Sequence, residues 1–364
     1  MFDNVYERKK VLITGHTGFK GSWLCTWLLR LGTEVCGFSV NIPTNPSNFE
    51  VLGLKEKIQH IVGDVRNSTQ LLRAVQEFQP DIVFHLAAQS LVRRSYNDPT
   101  TTFETNVLGT MNVLECIRQC PSIQAGVIIT SDKCYRNVEW IWGYRENDIL
   151  GGEDPYSASK GCAELIIYSY INSFFRDGSR VASARAGNVI GGGDWAEDRI
   201  VPDAVKAWSQ GKSVVIRNPN ATRPWQHVLE PLSGYLWLGS KLWEKNSMAK
   251  GQAFNFGPGA SVNQSVIQVL SSMAKYWPGA DWKVDQIDGN NQKESTLLKL
   301  CCDKALNLLN WEAILPFEET TAMTIEWYQT YYEQGKDHML RLTNCQIDEY
   351  SSRASAEGLP WALS

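Results

Sequence analysis

Short apolar runs alternate with longer amphipathic stretches through the first half of the chain. The runs are Val11–Thr14, Glu34–Ser39, His60–Asp64, Ile82–Leu86, Val127–Thr130 and Val181–Ala186, and patterns of helical period separate them. A strand buried on both faces reads as a continuous apolar run, and helices between such strands are the crossovers that a parallel sheet requires. The pattern therefore predicts an α/β fold, a doubly wound parallel sheet with helices on both faces. After about Asn188 the rhythm loosens into Gly191-Gly192-Gly193-Asp194-Trp195, a predicted helix over Val201–Gln210 and a strand over Val214–Arg217. A helix from about Leu229 to Trp243 and a strand at Phe254–Phe256 have the character to rejoin the first sheet. Helical patterns at Val262–Tyr276 and Glu318–Tyr332 complete a smaller lobe, and roughly the last 25 residues carry no decipherable signal. The domain division that follows is 1–188, rejoined by about 226–258, with 189–225 and 259–364 as the second lobe.

Composition narrows the classes. A chain of 364 residues exceeds the ~250–300 at which a single core stops growing, which fits one large domain with an appended lobe. With 43% hydrophobic and 20% charged residues it lies far from the disordered regime. A net charge of -4 supplies no general field for polyanions, so neither nucleic acid nor an anionic membrane is an expected partner. Nine cysteines, an odd number set mostly in apolar runs, read as reduced thiols of a cytoplasmic protein. Cys116 and Cys120 share a helix face but lack a second Cys/His pair at metal spacing, and no metal is expected. No stretch approaches the ~18 uninterrupted apolar residues of a membrane span.

Three motifs carry chemistry. Gly15-His16-Thr17-Gly18-Phe19-Lys20-Gly21 directly follows the first predicted strand and opens a helix. Glycines there permit a tight turn, let backbone N–H groups approach a pyrophosphate and aim a helix N-terminus at its charge. In a strand–turn–helix context this points to a dinucleotide. The second predicted strand ends at Gly37-Phe38-Ser39, with neither the acidic residue of many NAD sites nor the arginine of NADP sites. On the residues alone the choice stays open, the lack of Arg or Lys weighing toward NAD.

Pro155-Tyr156-Ser157-Ala158-Ser159-Lys160 places Tyr156 and Lys160 four apart on one helix face. A phenol of ordinary pKa near 10 is a poor base, and a neighbouring ammonium lowers that value at about 1.4 kcal/mol per unit. The pair can then take a proton from a sugar hydroxyl. The fifth strand runs into Ser131-Asp132-Lys133, at the carboxyl edge where open α/β sheets bind ligands. Ser131 would hydrogen-bond the substrate hydroxyl beside Tyr156. The charged pair that follows supplies an acid and a base that eliminating water needs and a simple epimerisation does not; otherwise it only solvates a strand end. Successive strand residues point to opposite faces, so both reach one site only if the backbone turns there.

Gly15-x-x-Gly18-x-x-Gly21, Ser131-Asp132-Lys133, Tyr156-x-x-x-Lys160 and Arg185-Ala186-Gly187-Asn188-Val189 together resemble the nucleotide-sugar 4,6-dehydratases of the extended short-chain dehydrogenase/reductases, over about Lys10 to Tyr328. That family usually reads Thr-Asp-Glu where this chain reads Ser131-Asp132-Lys133. The lysine, with Val215–Pro219 and Ala221–Val228, looks like the CDP-glucose branch; dTDP-, GDP- or UDP-hexose dehydratases and a 4-epimerase are the rival readings. The resemblance implies a Rossmann domain with a smaller nucleotide-sugar-binding lobe, NAD as cofactor and a homodimer. It implies Ser131, Asp132, Lys133, Tyr156 and Lys160 as catalytic residues. Cofactor contacts would come from Gly15, Gly18, Phe19, Lys20, Gly21, Asp64, Val65, Leu86, Ala87, Ala88 and Asn106, together with Tyr156 and Lys160. Asn188, Arg217 and Arg223 would meet the substrate on its diphosphate side, and Arg199 would also contact the substrate. Lys133 in the place of a glutamate would act either as a neutral base, paired with Asp132 as acid, or as a cation stabilising an enolate.

Overall fold

The computed structural model describes residues 1–175, 180–259, 262–284 and 297–363. Its main sheet has seven strands, β1 (Lys10–Thr14), β2 (Glu34–Ser39), β3 (Gln59–Val62), β4 (Ile82–His85), β5 (Ala125–Ile129), β6 (Val181–Arg185) and β7 (Ala253–Asn255). They lie in the order β7-β6-β5-β4-β1-β2-β3, every neighbouring pair parallel. The strand order reverses between β1 and β4, and ligands of such sheets bind in the crevice outside that switch point.

The continuous apolar runs are explained by burial on both faces. Within β1, Val11 and Ile13 enter one core with Trp23, Trp27, Leu232 and Leu236, whereas Leu12 enters the other with Leu71, Leu114 and Ile167. One face is therefore covered by α1 (Phe19–Arg30) and the Leu229–Trp243 helix, the other by the Ser68–Phe78, Gly109–Gln119 and Pro155–Phe174 helices. The late strand β7 pairs with β6 through Ala253↔Ser183 and Asn255↔Arg185. Short two-stranded ladders, Val214–Ile216 with Trp282–Val284 and Thr222–Arg223 with Gln264–Ser265, stand outside the main sheet.

Two expectations change. The helix expected over Val262–Tyr276 runs Val266–Ala274. Ser265 caps it in a reciprocal box with Gln268, which satisfies two end donors and fixes the start, and the residues before it form a ladder. The segment without apparent signal is helical, over Met339–Ala356 and Pro360–Leu363. Met339, Ile347, Tyr350 and Ala354 line the buried side of the longer helix, and Trp361 stacks on Phe2 with ring centroids 5.2 Å apart.

Candidate active site

The Gly-rich turn is built by close backbone approach. Gly15 has φ +77°, and a Cβ there would stand 2.6 Å from the Ala87 nitrogen. A Cβ on Gly21 would lie 2.3 Å from the Gly15 carbonyl oxygen. Gly18 stands at the N-cap of α1 with no side-chain cap. A twelve-residue helix left uncapped in this way offers its first N–H groups and the positive end of its dipole to an anion. That geometry fits a dinucleotide pyrophosphate. His16 is buried beneath the turn between Ser39 and His60, and burial, helped by His60, pulls its pKa down to about 3.

Leu86, Ala87 and Ala88 continue half-buried from the end of β4. Asn106 sits on a π turn, Glu104–Leu108, a distortion that often marks functional positions. Its amide joins two elements, accepting from Gln89 N at 2.9 Å and donating to Ser159 Oγ at 2.8 Å. His85 is a satisfied core residue between Thr14 and Thr110. The expected strand over His60–Asp64 ends at Val62, which leaves Asp64 and Val65 in the following turn beyond the edge strand. There Arg66 donates twice to the Asp64 Oδ2, and Val65 is buried against Gly109.

The backbone does turn after β5. Asp132–Cys134 is a 3-10 turn capped by Ser131, whose Oγ accepts from Lys133 N at 3.3 Å. Asp132 is 2% exposed. Its carboxylate accepts from Ser131 Oγ at 2.8 Å and from Asn188 Nδ2 at 3.2 Å. Asn188 holds φ +52°, a left-handed conformation that asparagine tolerates. Lys133 is half-buried beside this group.

Tyr156 and Lys160 lie one turn apart on the Pro155–Phe174 helix, which Asp154 caps through Ser157 N. The Tyr156 amide is tied to Ser95 Oγ at 3.2 Å. The phenol's value contradicts the expected lowering. Burial pushes it up to about 12, against the pull of a Ser131 hydrogen bond and the Arg199 charge. Burial also draws Lys160 down to about 8. Lys20 falls to about 8 as well, through burial and then the charges of Arg199 and Lys160. Cations, phenol and carboxylate thus share one poorly solvated space, in which Arg199 and Lys160 press on Lys20 and Asp132 presses on Tyr156.

The four predicted substrate contacts come from different elements. Arg199 is aimed by Asp194, which is 5% exposed and accepts its Nη1 at 2.8 Å. Arg217, half exposed, reaches Asp198 at 3.5 Å, and Arg93 meets the same carboxylate at 3.2 Å. Arg223 lies in the Thr222–Arg223 strand and donates to the Thr222 carbonyl. Asn188 is already engaged by Asp132. Asp194, Asp198 and Arg93 were not singled out from the sequence, because each matters only through a partner that folding supplies.

Residues 12–324 match the family model described as GDP-mannose 4,6 dehydratase. The CDP-glucose 4,6-dehydratase of Salmonella typhimurium is 45% identical over 356 residues, which covers 96% of this chain and 98% of that protein. Among solved structures, an epimerase from Methanothermobacter thermautotrophicus superposes with a TM-score of 0.78 at 25% identity, covering 92% of this chain and 96% of that one. The dTDP-glucose 4,6-dehydratase of Bacillus anthracis, solved in complex with NAD, gives 0.74 at 21% identity over 89% and 98% of the two chains. With a family match across most of its length and nearly half its residues shared with a dehydratase along almost the whole chain, the protein belongs to the GDP-mannose 4,6 dehydratase family, within the extended short-chain dehydrogenase/reductases.

Proposed function

We propose that the chain is a lyase that converts CDP-glucose to CDP-4-keto-6-deoxyglucose with NAD as its cofactor. The observation that carries this reading is the buried Asp132 carboxylate, held by Ser131 and Asn188 within electrostatic reach of the Tyr156 phenol. A 4-epimerase has no use for a second acid at that place. The choice of CDP-glucose is supported by the 45% identical relative.

Gly15, Gly18, Phe19, Lys20 and Gly21 would hold the cofactor pyrophosphate, Asp64 and Val65 the adenine end, and Leu86, Ala87, Ala88 and Asn106 the wall beside the reacting ring. Bound NAD supplies a hydride acceptor at C4 and a hydride donor at C6, so the reaction involves no net oxidation. Tyr156 accepts the C4 hydroxyl proton, with Ser131 orienting that hydroxyl and Lys160 holding the ribose and stabilising the phenolate. The 4-ketone acidifies the C5 proton. With Lys133 neutral, it takes the C5 proton and protonated Asp132 gives a proton to the departing C6 hydroxyl; with Lys133 charged, it stabilises the enolate while the Asp132 carboxylate takes the C5 proton and passes it to the C6 hydroxyl. Burial of the Tyr156, Asp132 and Lys160 side chains keeps water from the unsaturated intermediate. Asn188, Arg199, Arg217 and Arg223 take the diphosphate side, where the planar guanidinium fork matches phosphate oxygens.

In this reading residues 1–188, with 226–258, form the cofactor domain, and 189–225 with 259–364 the nucleotide-sugar lobe. Among the described residues no helix is long and apolar enough to cross a membrane. A cytoplasmic place, supplying deoxysugar for surface polysaccharide such as lipopolysaccharide O-antigen, accords with the substrate. A homodimer is supported by the exposed apolar side chains Leu108, Leu165 and Tyr168 on helices beside one another. The decisive experiment uses CDP-glucose deuterated at C4. Dehydration carries the label to C6, and an epimerase leaves it at C4. In heavy water the product should also acquire deuterium at C5.

A further inference from the structure

We infer that Glu164 is a positioning residue of the active centre, its buried carboxylate fixing the Ser131 end of β5 while holding the charge of Lys160. The inference rests on the roles proposed above for those two residues. Glu164 lies one helical turn beyond Lys160, and the two are 3% and 5% exposed. One carboxylate oxygen accepts from Thr130 Oγ1, the residue directly before Ser131. The other accepts from Ser183 Oγ at 2.9 Å and from Arg185 Nη2 at 2.7 Å. Arg185 passes on to the Tyr135 hydroxyl at 2.7 Å and the Glu146 carbonyl at 2.9 Å. One carboxylate thereby ties β5, β6 and the catalytic helix together at the point where the reacting groups emerge.

Stability alone is a weak reason for the buried Glu164–Arg185 pair. Removing two charges from water costs several kcal/mol per ion, and well-packed apolar replacements are often no less stable. Placement distinguishes Glu164, which also stands one turn from Lys160 on the catalytic helix. Lys160 is surrounded by Tyr156 and Glu164 on its own helix, Cys134 from the turn after β5, His85 from β4 and Lys20 from α1. Burial drives the Cys134 thiol up and the His85 imidazole down to about 3, so both are neutral near pH 7, and Lys20 repels. Among these described groups Glu164 brings the negative charge that opposes desolvation of the ammonium.

The test compares wild type, Glu164→Gln and Thr130→Val in the full chain with NAD, following CDP-glucose turnover and NAD affinity against pH. Glu164→Gln keeps the shape and removes the charge. Its alkaline limb of kcat, and the alkaline loss of NAD affinity, should move to lower pH by about one unit, with KM for CDP-glucose changed less than about three-fold. Thr130→Val cuts only the link to Ser131, and kcat should fall about ten-fold with the limb unmoved. Superimposable pH profiles for wild type and Glu164→Gln would overturn the inference, even if the melting temperature fell. If Glu164→Gln does not fold, Thr130→Val at the wild-type rate overturns it instead. NAD affinity against pH reads the same shift in the absence of sugar. A wild type that binds NAD but leaves CDP-glucose unchanged therefore refutes the functional proposal and not this one.

Discussion

Gly187→Ala should separate the two halves of the proposed reaction. A Cβ at that position would stand 2.0 Å from Asp132 Oδ2, 2.1 Å from its Cγ and 2.4 Å from Oδ1. Ordinary contact begins at 3.4 Å, so the nearest oxygen must retreat by 3.4 − 2.0 = 1.4 Å. Asp132 is short and 2% exposed, and that movement breaks its hydrogen bonds from Ser131 and Asn188. Hydrogen bonds to charged groups contribute ≈ 1.5–3 kcal/mol each, so the melting temperature should fall, though not to the point of unfolding. The rate is the sharper measure. Displacing a reacting group by about 1 Å costs on the order of 10²-fold, and a general acid supplies 10²–10⁴. Dehydration should therefore drop on the order of 100-fold while oxidation at C4, which does not use Asp132, continues. Mixing enzyme, NAD and CDP-glucose in a stopped-flow instrument should show reduced-nicotinamide absorbance rising and persisting, where wild type shows only a transient. A variant that folds, binds NAD and dehydrates within about five-fold of wild type would show that the Asp132 position is irrelevant to elimination.

Tyr156→Phe keeps the ring and should keep NAD and CDP-glucose binding while losing 10²–10⁴ in rate; more than about a tenth of the wild-type rate would remove the phenol from the mechanism. Lys133→Met should reduce bound NAD slowly in the presence of substrate but exchange little C5 hydrogen with heavy water, and a near-normal dehydration rate would return the elimination step to Asp132 alone. Glu230, buried under Tyr350 and the Ile314 and Leu315 amides, has its pKa raised by burial to about 7. Because the folded chain binds this proton more tightly than the unfolded one, its contribution to stability is full below about pH 4.5 and is lost as pH rises toward 7. Glu230→Gln should raise the melting temperature at pH 8 more than at pH 5, and equal effects at both would contradict the assignment.

The parallel sheet was legible because its strands are buried on both sides, which leaves continuous apolar runs such as Ile82–His85. The Met339–Ala356 helix was not, since three of its seven buried positions, Thr343, Gln346 and Ser351, are polar. Thr343 is inside because Trp327 Nε1 donates to it, and Tyr350 because its hydroxyl reaches Glu230. Motifs compact in sequence, such as Tyr156-x-x-x-Lys160, announce themselves. Contacts between distant segments do not: Asn188 finds Asp132 across 56 positions and Asp194 aims Arg199 only once their loop has folded. The Tyr156 phenol shows the same limit: spacing places it on the helix face of Lys160 but says nothing of the burial that raises its pKa.

Phe2 lies in an aromatic nest with Trp27 and Trp361, and the Tyr6 hydroxyl is held by the Leu236 carbonyl at 2.5 Å. During synthesis these N-terminal side chains therefore leave the ribosome long before the rings that cover them. The β1–β6 layer closes without them, but the Trp27 ring of α1 is covered only once Tyr350 and Trp361 have folded onto it. Peeling away the Pro360–Leu363 helix would therefore bare the rings of Phe2 and Trp27 while leaving all seven strands paired, a local opening that proteases and chaperones can read without the catalytic centre coming apart.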